Sequence, residues 1–157
     1  MIANLFWVLL LSVSPIAELR GSIPLGILIF HINPVLIFFI AVLGNFLVVP
    51  LLLIFLKYFS EFLMHRFYFF NRLLSYIFAR TRAHHQHKFE KWEHWALLAL
   101  VAIPIPFTGA WTGALAAFLF DIPFKRSMWM IFGGIVIAAL IVTALMLLGN
   151  GVANGII

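Results

Sequence analysis

The chain of 157 residues is 65% hydrophobic and only 10% charged, where an ordinary soluble domain is about 25% charged and about 45–50% apolar. A fold of this size has no interior large enough to hide that excess, so a soluble enzyme, a nucleic-acid-binding module and a disordered chain are excluded, leaving an integral membrane protein. Ten Lys and Arg against five Asp and Glu give +5, which in a membrane chain reports orientation, and the absence of cysteine removes disulfides, thiolate metal sites and thiol nucleophiles.

The first apolar run, Ile2 to Val13, is only about three turns long, whereas a bilayer core takes about 20 residues to cross. It breaks at Ser14-Pro15 and resumes through Pro24-Leu25-Gly26 to Ile32. It lacks the basic leader and small-residue cleavage site of a signal peptide. Val35 to Leu56 is uncharged over 22 residues, and is predicted to span.

Tyr58 to Arg80 is predicted to be an amphipathic helix. Glu61, His65, Tyr68, Arg72, Ser75 and Ala79 recur at steps of four and three, with aromatic and aliphatic residues between them. Such a helix lies at the interface with its arginines snorkelling; a third span is the other reading. Thr81 to Glu93 reads as a polar loop. Its His84, His85 and His87, with His94 beyond, offer ligands for Zn²⁺ or Ni²⁺. No cysteine and no uniform spacing accompany them, so the expectation is a solvated basic loop, with no metal and no cofactor.

Trp95 to Ile103 is again short. It breaks at Pro104-Ile105-Pro106, passes Gly109 and Gly113, and resumes to Phe120. Asp121 reads as a cap for the helix that follows, beside Lys125. Ser127 to Leu148, uncharged over 22 residues, is the second predicted span.

Proline removes a backbone donor and clashes with the preceding turn. Inside a bilayer the freed polar backbone must be buried in protein or line a cavity. Each interrupted stretch is therefore a re-entrant hairpin or a proline-kinked spanning helix. A shift of 89 residues places Pro15 on Pro104, Pro34 on Pro123, Gly44 on Gly133 and Asn45 on Gly134. The chain reads as two copies of one unit: short helix, proline break, short helix, then a spanning helix. Paired Gly/Pro-interrupted segments in corresponding positions are a pointer to a transporter site.

Nine of the ten basic residues fall at Lys57 to Lys91 or at Lys125 and Arg126. All nine lie on the cytoplasmic face only if residues 95–120 enter and leave from that face. The first hairpin then enters from outside, and the copies are inverted. The predicted fold is thus an all-α integral membrane protein of one domain. Repeat 1 covers 1–57 (hairpin 2–32, span 35–56), an amphipathic helix and basic loop cover 58–93, and repeat 2 covers 94–157 (hairpin 95–120, span 127–148).

Glu18 and Arg20 follow the first break, where intramembrane charge is costly and functional by default. They pair across an irregular turn or serve separate partners. Burial disfavours a charged carboxylate, which makes Glu18 a candidate proton carrier. Arg20 offers a planar fork for phosphate or carboxylate. Ser22 before Ile23-Pro24 reads as an N-cap with proline in the first turn, and Thr108 and Thr112 as caps in the second hairpin. Gly21, Gly26, Gly109 and Gly113 would let the hairpins approach closely.

Pro15-Ile-Ala-Glu18-Leu-Arg20-Gly21-Ser-Ile-Pro24-Leu-Gly26 resembles the leading motif of the small multi-drug export protein family of prokaryotes. Pro104-Ile-Pro106-Phe-Thr108-Gly109-Ala-Trp-Thr-Gly113 resembles its second motif. That family is similar in plan to the DedA superfamily, which pairs re-entrant hairpins with spanning helices. The resemblance implies a multi-pass transporter-like protein of the inner membrane, with its site at Glu18, Arg20, Gly21, Pro24, Pro104, Pro106, Thr108 and Gly109. The uncharged second hairpin departs from the DedA pattern.

The leading functional expectation is a secondary exporter of a small molecule, with a midplane site between the hairpins, Glu18 carrying a proton and Arg20 engaging substrate or holding Glu18. Ser22 belongs to the same candidate set. The alternative is a lipid scramblase or flippase gripping a phosphate head group. An enzyme is not expected, nor a nucleic-acid partner. Membrane lipids surround the chain, and two short hairpins would gain shielding from a second copy in a homodimer.

Overall fold

The computed structural model describes residues 2–66, 72, 89–105 and 108–153. Among them the regular structure is helical throughout. In chain order the helices are α1 (Ile2–Val13), α2 (Glu18–Pro24), α3 (Pro34–Arg66), α4 (Phe89–Ala102), α5 (Ala110–Leu119) and α6 (Phe124–Ala153), with a π-helical turn at Leu25–Ile29 after α2.

The first break is short. The Ser14 hydroxyl accepts from the Ala17 N–H at 3.2 Å, and the Ser14 carbonyl accepts from Glu18 N–H at 3.2 Å. Glu18 opens α2 at φ 47, a left-handed backbone that few residues other than glycine adopt. The helix therefore restarts six residues before Pro24. This corrects the expected cap at Ser22, which lies inside α2 and is fully buried. Pro24 cannot donate to the turn behind it. Wider winding follows, with Phe30 N–H bonded to the Leu25 carbonyl at 3.1 Å, and a π turn of this kind often marks a functional region.

Helix α3 runs 33 residues, about 50 Å at 1.5 Å per residue, well beyond the roughly 30 Å hydrocarbon core. The helix contains the whole predicted 35–56 span and runs without a break into the predicted 58–80 helix, because Lys57 to Arg66 contains neither Gly nor Pro. The onset of charge marks where a span leaves apolar surroundings, not where its backbone ends. The remainder of the predicted 58–80 helix, apart from Arg72, lies outside the described residues, as do His84, His85 and His87. The predicted loop is also corrected at its far end. Residues 89–93 belong to α4.

After α5 the chain turns through Asp121, φ 53. Asp121 N–H bonds the Phe118 carbonyl at 3.2 Å, and Ile122 N–H bonds that of Ala117 at 2.9 Å. That pairing is a Schellman closure with a left-handed residue. His31, φ 50, occupies the matching turn before α3. Both left-handed residues stand shortly before the proline that precedes or opens a long helix.

Two helical stretches are long and apolar enough to cross a membrane, Pro34–Phe62 and Phe124–Gly149. They pack on each other, and each also packs on short helices from both halves of the chain. Helix α1 packs on α3 as α4 packs on α6, while α2 and α5 each pack on both long helices. A methyl group at Gly44 would meet Ser12 and Leu9, and one at Gly133, its counterpart at the 89-residue shift, would meet Leu98 at 3.3 Å; the tightest crossing of α4 with α6 lies one residue further on, at Gly134, with Val101 at 2.6 Å and the Leu98 carbonyl at 2.9 Å. Small residues let helix backbones approach in this way. The shared interior holds Val8, Ile23, Ile37, Val49, Val101, Ile131 and Ile135, all fully buried. Phe39, Leu43, Leu47 and Leu51 form an exposed stripe along α3. That surface suits lipid and would be a liability in water.

Candidate functional site

The two breaks meet. Glu18, at the first break, is buried to 6% exposure. Its carboxylate rests against Gly109, where a side chain would have to occupy the same space. The backbone amides of Ala110 and Trp111 face it, that of Trp111 at 3.4 Å from Oε1. These are among the first amides of α5, which have no partner within their own helix. The carboxylate thus lies at the positive end of the α5 dipole.

Arg20 serves the opposite helix end. Its Nη2 donates to the Ile103 carbonyl at 3.0 Å and to the Thr108 hydroxyl at 3.1 Å. Ile103 follows the last residue of α4, so the guanidinium lies where carbonyls are left over and a cation is favoured. Thr108 Oγ1 also approaches the carbonyls of Ile103 at 3.0 Å and Ile105 at 2.9 Å. Thr112 reaches back to accept from Gly109 N–H at 2.8 Å. In return, Trp111 Nε1 donates to the Val13 carbonyl at 3.2 Å, which closes the C-terminal end of α1. Each break therefore supplies side chains to the helix ends exposed by the other.

Beside this junction is a cavity of about 450 Å³ lined by Pro15, Glu18, Arg20, Gly21, Pro24 and Pro104, and by Val142, Leu145 and Met146 of α6. Of the residues expected from sequence, Glu18, Arg20, Gly21, Pro24 and Pro104 share that cavity. Thr108 and Gly109 touch it through Arg20 and Glu18. Ser22 is buried one turn beyond Glu18, and Pro106 lies outside the described residues. Each of the two charges has its own helix end, while Glu18 and Arg20 also act on each other through their opposite charges. Gly109 is needed for close approach, since its backbone is extended.

Thr112 caps α5 as expected, through the Gly109 N–H; Trp111 and the α6 residues were not expected. Trp111 stands inside the second motif, and the signal was an indole donor shortly after a proline break. The α6 residues lie in a uniformly apolar run that carries no such mark. Trp111→Phe keeps the ring but orphans the Val13 carbonyl. It is expected to cost about 1 kcal/mol, measurable by denaturant unfolding in detergent.

Two long apolar helices, an apolar outer surface and buried charge at paired helix breaks define an all-helical membrane protein. The model of the small multi-drug export protein family matches residues 18–141, and the chain belongs to that family. The matched residues begin at Glu18, just after the first break, and take in the second break, α3, α6 through Ile141, and both sides of the Glu18–Gly109 contact. No curated protein and no solved structure matches the chain.

Proposed function

We propose that this protein is a secondary exporter of a small molecule in a prokaryotic inner membrane, with its site where the two breaks meet. In this reading the breaks are the tips of two re-entrant hairpins, 2–32 and 95–120, inserted from opposite faces. Each hairpin pairs with one spanning helix in an inverted repeat. The matching packing of α1–α3 with α4–α6, and the residues at their crossings, support two equivalent units. Family membership supports export in place of catalysis.

The observation that carries the proposal is Glu18. It is a buried carboxylate on a cavity, held by the end of a helix from the other half. Ionised, it is attracted to the α5 N-terminus; protonated, it loses most of that attraction. Proton binding would therefore loosen the contact between halves, and a loosened contact is what a change of access requires. Arg20 holds the other helix end. Its Nη2 is engaged by Ile103 and Thr108, so Arg20 supports the end of α4 beside the cavity.

Glu18→Gln keeps the shape and removes the titration. Export driven by a pH gradient in proteoliposomes is expected to fall to the level of empty vesicles. Full pH-driven export by Glu18→Gln would remove the proposed coupling.

A further inference from the structure

Along the seam between α3 and α6 lies a groove of about 430 Å³, lined by Phe46, Phe124, Lys125, Met128, Trp129 and Phe132. It shares no lining residue with the Glu18 cavity. Five of the six lining side chains are aromatic or methionine, and the sixth carries a positive charge. Phe46 of α3 meets Phe132 of α6 edge to face, with ring centroids 4.9 Å apart, and Trp129 stands edge-on to Phe132 at 6.5 Å. Rings from both long helices therefore form one wall. The groove is open at the side, since Phe124 and Trp129 are exposed, the latter to 72%.

The groove has a charged end and an apolar end. Lys125, Met128, Trp129 and Phe132 recur at steps of three and four, which places them on one face of α6. Lys125 lies in the first turn of that helix, and Phe132 seven residues further on, about 10 Å along the axis. The uncharged run of α6 begins just past Lys125 and Arg126. At the far end, Phe46 stands near the middle of the apolar Pro34–Phe62 stretch. The channel therefore leads from a cation at the edge of the apolar layer toward its centre.

That gradient selects the occupant. No acidic side chain lines the groove. Among the described residues, none forms a hydrogen bond or ion pair with Lys125 or Arg126, and both are exposed. A soluble anion would answer the charge and leave the rings uncovered. A second copy of this chain, docked symmetrically, would bring the same positive charge to the same rim. An anionic phospholipid matches both ends, and basic pockets between membrane helices hold acidic head groups in this way. We propose that the α3–α6 groove seats one anionic phospholipid, resident and not transported, with its phosphate on Lys125 beside Arg126 and an acyl chain along Trp129 and Phe132 to Phe46. Trp129 suits the upper part of such a seat, because tryptophan favours the membrane interface. The proposal is independent of the proton-carrier reading of Glu18.

The test is quenching of Trp129 in the full chain, reconstituted in phosphatidylcholine vesicles that contain a small fraction of lipid with brominated acyl chains. Bromine quenches an indole only at close range. The chain has five tryptophans, and subtracting the signal of Trp129→Phe isolates the one in the groove. Brominated phosphatidylglycerol is expected to bind about fivefold more tightly than brominated phosphatidylcholine, the scale of one basic residue near an anionic surface, and to saturate at a low fraction. The double variant Lys125→Gln/Arg126→Gln, altered only at exposed positions, is expected to lose that preference. Equal quenching by the two lipids, a preference that survives in the double variant, or quenching that only tracks the bulk lipid fraction would each overturn the proposal. Quenching by neither lipid would also overturn it, because another occupant would then cover the groove. If Trp129→Phe does not fold, native mass spectrometry of lipid adducts on wild type and the double variant reads the same preference, with the same outcomes deciding.

Discussion

Gly109→Ala is expected to abolish export and to destabilise the chain by about 1–3 kcal/mol, the usual cost of forcing extra atoms into a packed site. The added methyl carbon would fall on the Glu18 carboxylate, within 2.5 Å of its Cδ. Backbone strain is not the cause, because Gly109 is extended and alanine can adopt that conformation. The carboxylate must therefore withdraw from the α5 amides, or α5 must withdraw from α2, and either movement opens the junction. Gly149 is the matched control. No atom lies within 4 Å of a Cβ added there, and in a helix interior alanine is favoured over glycine by roughly 0.5–1 kcal/mol. Denaturant unfolding of both variants in detergent, with export measured on the same preparations, reads the contrast. Equal stability for the two would contradict the packing described.

Arg20→Lys is the second large effect. The charge is kept, but a lysine cannot reproduce the planar fork that reaches the Ile103 carbonyl and the Thr108 hydroxyl together. Loss of hydrogen bonds from a charged group is worth about 1.5–3 kcal/mol, and the Ile103 carbonyl keeps only the Ile105 N–H and the Thr108 hydroxyl. Thr108→Val removes the other side of the same contact. The costs of Arg20→Lys and Thr108→Val are therefore expected to be less than additive in the double variant, by at least about 0.5 kcal/mol. Simple additivity, measured by the same unfolding titrations, would show that the two side chains act independently.

Much of this arrangement was legible along the chain. Pro15 and Pro104 marked both breaks, because a missing backbone donor has the same consequence in any fold. Charge-free runs marked both long helices. Glu18 and Arg20 stood out because charge in an apolar chain is expensive. What could not be read was the pairing across the breaks. Glu18 meets Gly109 over 91 residues of sequence, and no local pattern encodes which helix end a carboxylate will find. The loop boundary at Glu93 was misjudged, since α4 already includes residues 89–93: charge reports the edge of an apolar layer, not the end of a helix. Ser22 was misplaced because proline is favoured in a first turn, whereas Glu18 starts α2 earlier by adopting a left-handed backbone.

The central claim is that two hairpins enter from opposite faces and meet at Glu18. Because the chain has no cysteine, single cysteines at Ala83, between the two halves, and at Ala153, at the end of α6, can be labelled with a membrane-impermeant maleimide in intact cells and in inverted vesicles. Inverted hairpins predict labelling from opposite sides, with Ala83→Cys on the cytoplasmic face and Ala153→Cys on the outer face. Labelling of both from the same side would mean that residues 95–120 cross the membrane, and would contradict the inverted arrangement on which the site depends.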